Sequence, residues 1–171
     1  MRDYWVMISF AILFILLVFQ FNCTTEKSSA EFQPLIDAYL SFWNTGNFDG
    51  IDQVLPPDFE LRMTPKFEPE KGIETFKQEV IKLRRAYPDF HITVNESFFD
   101  TDKFAVRWTI TGTNTGPGTL PPTRKAIKVP GMSIIHFQNG KIKDEWIASN
   151  NLYWLQQLGY KLESPFTGNS Q

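Results

Sequence analysis

The chain has 171 residues, 42% hydrophobic and 21% charged, with a net charge of −2 and a pI near 5.7, which suits one compact domain plus an N-terminal extra. No run of Lys or Arg recurs with interleaved aromatics, so a surface that tracks a phosphate backbone is excluded and nucleic acid is set aside as a partner. The 16 Phe and 5 Trp are many for this length, and large apolar rings serve cores and small-molecule pockets alike.

The first 22 residues differ from all that follows. Tyr4 to Phe21 carry no charge, after Arg2 and Asp3 and before Cys23 and the polar TTEKSSA. A short apolar stretch at the start has the form of a secretory signal, and it also lies at the lower edge of what spans a bilayer. Cys23 is the only cysteine, so it has no intrachain disulfide partner. It stands where a bacterial lipoprotein signal places its lipidated residue, and the bulky FQFN before it resembles a relaxed form of that signal. The expectation is a signal peptide or membrane anchor over 1–22, a polar tether over 23–30, a folded domain over 31–160 and a tail over 161–171. The folded part is then exported to the cell envelope and anchored at the membrane.

In the folded part, Phe32, Leu35, Ile36, Tyr39 and Trp43 recur at helical spacing, and Gly46 in NTGN closes that helix. A short helix is predicted from Asp49 to Leu55, stopped by Pro56 and Pro57, and DFELR reads as a short strand before a proline-bounded loop. Ile73, Phe76, Val80, Leu83 and Tyr87 mark a second long helix that Pro88 ends. From Asp89 the period changes to two. Phe90, Ile92 and Val94 alternate with polar residues, as do Phe104, Val106, Trp108 and Ile110. A Gly/Pro-rich loop, GTNTGPGTLPPTRK, leads to a third run, Ala126 to Phe137, bent at Pro130 and Gly131. The Asn-Gly of QNGK then turns a hairpin into Ile142 to Asn150. Helices first and an antiparallel meander afterwards make an α+β fold.

Strict alternation gives each late strand an apolar face. One ends at Gly112 and Asn114; the other, with Ile142, Trp146 and Ala148, ends at Asn150. A polar end on an apolar wall is the construction expected of a pocket, and also of a strand end capped in solvent.

The blocks FWNTGNFDGIDQVLPPDF, FKQEVIKLRRAYPDF, FAVRWTITGTNTG, PPTRK and NGKIKDEW…LYWLQQLG resemble the SnoaL-like polyketide and ester cyclases of the nuclear-transport-factor-2-like superfamily, from Phe32 to Gly159. The resemblance implies a curved antiparallel sheet wrapped against three helices, a cone with an internal apolar pocket. It also implies a His where this chain has Asn114, and an Asp acid/base for intramolecular aldol cyclisation where it has Asn150. An amide has no proton-accepting state near pH 7, so the pocket is expected to bind a small apolar molecule with the usual acid/base route removed. The alternatives are an active cyclase, isomerase or hydrolase, and an envelope interaction module or homodimer using the outer sheet surface.

Asp144 lies on the same alternating face as Trp146 and is the candidate replacement base, or else a carboxylate neutralised by Arg107, Arg62 or another basic neighbour. Arg62, where relatives often place His, is a candidate for binding an acidic ligand group. Tyr39, Trp43, Trp108 and Trp146 are candidate pocket wall, and equally candidate core. Arg124 stands where relatives commonly have Gly. His91 and His136 read as surface residues. No metal site or cofactor is expected, since two separated histidines lack ligand spacing and no phosphate-binding glycine loop precedes a helix.

Overall fold

The computed structural model describes residues 25 to 163 except 65 and 67, so the predicted signal or anchor, Cys23 and the last eight residues lie outside the described residues. The first helix, α1 (Thr25–Thr45), begins inside the predicted tether. Glu, Lys and Ala in TEKSSA are good helix formers, so the helix extends through a stretch whose sequence lacks apolar periodicity. At its end Gly46, at φ 71°, donates its N–H to Phe42 O at 2.9 Å.

After α1 come α2 (Ile51–Val54), β1 (Glu60–Met63), β2 (Glu70–Lys71), α3 (Ile73–Ala86), β3 (His91–Asp100), β4 (Lys103–Thr113), β5 (Ala126–Gln138), β6 (Lys141–Ser149) and α4 (Asn151–Gln157). The six strands form one sheet in the order β2-β1-β6-β5-β4-β3. Strands β3 to β6 are the predicted meander, whereas β1 joins β6 in parallel. The described residues hold four helices, one more than the resemblance implied; α4 had no separate sequence expectation.

Register shifts at Val94/Glu96 and His136/Phe137 interrupt the ladder, and bulges of this kind bend strands and add twist. Helix α1 packs against β3, and α1, α3 and the inner face of the sheet enclose a common interior. Phe76 of α3 is the hub: Tyr39 stacks on it at 5.3 Å, and Trp43 and Phe59 meet it edge-on at 5.2 and 5.6 Å. These offset and edge-to-face arrangements satisfy the ring quadrupoles as well as burying area.

Polar groups fix how the layers meet. Asn44, near the end of α1, receives the N–H of Ile92 and donates to its carbonyl, so a side-chain amide stands in for a strand partner along β3. Arg84 of α3 donates to the carbonyls of Asn44 and Phe90 at 2.6 and 3.1 Å. Gly131 is required by close approach: a Cβ there would lie 2.0 Å from the Trp108 ring, which faces it across β4 and β5. That contact seats the indole inside the cone.

Candidate functional site

Asn139 and Gly140, at φ 53° and 71°, make the predicted Asn-Gly turn. Leaving it, β6 loses step with β5. Phe137 pairs with Ile142 but His136 pairs with Asp144, so Lys143 is an extra residue. One inserted residue sends every following side chain to the opposite face. Ile142 is fully buried, and beyond the bulge Glu145, Ile147 and Ser149 face the interior. The expectation that Trp146 and Ala148 share the face of Ile142 fails for this reason.

The interior holds a cavity of about 440 Å³, walled by Ile36, Trp43, Phe90, Phe104, Val106 and Ile147 among other mainly apolar side chains. Glu145 is 5% exposed. The Tyr39 hydroxyl, reaching across from α1, donates to its Oε2 at 2.6 Å. Trp108 Nε1 donates to Ser133 Oγ at 2.9 Å, and the Ser133 hydroxyl in turn stabilises the Glu145 carboxylate. The carboxyl group thus takes a hydrogen bond directly from α1, with the Trp108–Ser133 pair of β4 and β5 beside it.

Burial pushes the Glu145 carboxyl above its ordinary value, and the hydrogen bonds from Tyr39 and Ser133 offset part of that rise. Burial, followed by the nearby Glu145 charge, pushes Tyr39 well above the usual phenol range, which keeps it a proton donor. The other charged lining residues, Glu79 and Lys82 of α3, pair with each other at 2.5 Å on the more exposed rim. A carboxyl of raised pKa in a largely apolar chamber is suited to taking and returning a proton.

The predicted residues divide between the two faces of the sheet. Tyr39, Trp43, Trp108 and Asn114 line the cavity. The Asn114 oxygen accepts from Thr123 N at 2.7 Å and Oγ1 at 3.1 Å, so this amide fastens the long loop after β4. In that loop Arg124 adopts φ 60°, a conformation that favours the Gly expected from the resemblance.

Asp144, Trp146, Asn150 and Arg62 are not in the cavity lining. Asp144 pairs with His136 Nδ1 at 2.6 Å, so its basic neighbour is neither Arg107 nor Arg62. Arg62 pairs with Glu60 at 2.5 Å and sits beside Trp146 in the parallel register. Trp146 is 54% exposed and continues an outer-face row with Phe98, Ala105 and Ile134. Asn150 is an exposed N-cap whose Oδ1 accepts from Tyr153 N at 3.0 Å, a helix-starting task that suits Asn.

Sequence reasoning missed Glu145, Ser133, Ser149 and Asn151. One signal for Glu145 was present: Ile142 and Ile147 are five positions apart, and strict alternation can bury only one of them. Choosing Trp146 as the inward residue concealed the bulge. Asn151 accepts from Ser149 Oγ and donates to Thr64 O at 3.0 Å, joining the end of β6 to β1 beside the cavity.

The raised carboxyl has a consequence for stability. Between the unfolded value near 4.5 and its higher folded value, Glu145 binds more protons folded than unfolded, so its ionisation lowers stability as pH rises through that window. Glu145→Gln is expected to melt above wild type near neutral pH, with the gap closing as pH falls toward 4.5. Thermal denaturation across pH checks this, and a pH-independent difference would contradict it.

The family profile described as SnoaL-like polyketide cyclase matches residues 33–158. No functionally curated protein sequence matches the chain. Among solved structures, TsrD from Streptomyces laurentii is 24% identical with a TM-score of 0.68, over 76% of this chain and 96% of TsrD. A Bacillus cereus protein provisionally assigned as a polyketide cyclase is 27% identical with a TM-score of 0.66, over 80% and 85% of the two chains. A Catenulispora acidiphila protein of ketosteroid isomerase-like fold, in complex with trimethylamine, is 14% identical with a TM-score of 0.62, over 74% and 93%.

Proposed function

Since the chain belongs to the SnoaL-like polyketide cyclase family, we propose that it holds one small, largely apolar molecule in the cavity between the sheet and its helices. The carrying observation is the cavity itself: about 440 Å³ of largely apolar space with a few convergent polar groups, which is the size and chemistry of a small-molecule site. The family's description, together with the provisional assignment of the Bacillus cereus structure, supports a carbonyl-bearing ligand. By the resemblance, the usual His and Asp positions hold Asn114 and Asn150, and neither amide takes up a proton near neutral pH. The ligand is therefore not processed through those two positions.

A thermal-shift screen of residues 24–171 with apolar ketones and alcohols tests this reading. Binding compounds are expected to raise Tm and to change the fluorescence of the cavity tryptophans Trp43, Trp108 and Trp154. A screen with neither effect for any compound would contradict it.

The same proposal places the domain in the cell envelope, tethered through a lipid on Cys23 after removal of residues 1–22. The support is the uncharged stretch from Tyr4 to Phe21 directly before the chain's only cysteine. Mass spectrometry of membrane-extracted protein is expected to find an acylated N-terminal Cys23. An intact precursor with unmodified Cys23 would overturn the lipid anchor.

A further inference from the structure

Resting on the pocket reading above, we propose that Glu145 is a catalytic base, with Tyr39 as its partner donor, for an enolisable ketone bound in the cavity. The geometry carries this. Glu145 reaches the cavity because of the extra residue at Lys143, is almost fully buried, and takes the Tyr39 hydroxyl at 2.6 Å. The Trp108–Ser133 pair lies on its other side. The only other carboxylate in the lining, Glu79, is already paired with Lys82. Tyr39 is the titratable group packed on Glu145 from α1, and no charged group opposes it from β4 or β5 within the lining.

The step needs no co-reactant. The Glu145 carboxylate removes a proton from the carbon beside the carbonyl. The C–H electron pair becomes a C=C bond, and the carbonyl π pair moves to oxygen. Once neutral, Glu145 is a weaker acceptor, which frees the Tyr39 O–H to donate to the enolate oxygen. Return of the proton from Glu145 to the same carbon completes an exchange, and return to a conjugated carbon completes an isomerisation. In either case the carboxylate is regenerated.

The test uses 2-tetralone, a bicyclic ketone, in D₂O, with binding followed by calorimetry and deuterium uptake at the α-carbon by mass spectrometry. Wild type is expected to accelerate uptake over buffer, with a rate that rises with pH through a midpoint above 4.5. Glu145→Gln is expected to lose the acceleration by about 10²- to 10⁴-fold with affinity little changed. Tyr39→Phe is expected to move the midpoint upward, because the lost hydrogen bond holds the carboxyl down. Uptake that persists in Glu145→Gln with ketone bound, or a wild-type rate flat with pH, would overturn the assignment. If 2-tetralone neither binds nor exchanges while other compounds bind, the ketone class falls and the pocket reading stands. If no compound binds, the pocket reading falls as well.

Discussion

The bulge at Lys143 decides which carboxylate this domain carries inside. Asp144 and Glu145 are adjacent in sequence, and a strand can send only one of them inward. With the extra residue in place, Ile142 remains in the core and Glu145 enters the cavity, while Asp144 meets His136 on the outer face. Without it, regular alternation would line the cavity with Asp144 and Trp146. The interior chemistry therefore depends on a local departure from regular pairing and not on residue identity alone.

Other constraints hold the surroundings of that carboxyl in place. Phe76 fixes Tyr39 through a stacked contact, so the hydroxyl arrives from the helix layer in a set direction. Gly131 admits the Trp108 ring, which brings its N–H to Ser133. Each donor is thus positioned by packing on a helix or a strand, the arrangement that preorganisation requires. The exposure of the 145 and 146 side chains, 5% and 54%, is the opposite of what their polarities alone would suggest. Burying the acid costs stability and the exposed indole leaves apolar area in water, a local conflict of the kind expected at a functional site.

Much of the fold was legible. Helical periodicity located α1 and α3, and the change of period at Asp89 located the meander, because long amphipathic elements repeat their signal many times. The parallel pairing of β1 with β6 is a long-range contact that no local pattern encodes, and α4 is only seven residues long with no buried side chains of its own. At the site, Tyr39, Trp43, Trp108 and Asn114 could be placed because their elements are regular up to those positions. Asp144, Trp146 and Asn150 were misplaced because alternation was carried through a bulge. The family resemblance directed attention to Asn150, whereas its geometry here is that of a helix cap.

Glu145 is an interior carboxyl that takes the hydroxyl of Tyr39, with its pKa raised by burial. Carbon-detected NMR of selectively labelled glutamate, with Glu145 assigned through its replacement by Gln, reads this directly. The expected result is a Glu145 titration midpoint above 4.5, accompanied by a shift of the Tyr39 ring signals over the same pH range. A midpoint at or below 4.5 with no response from Tyr39 would contradict it.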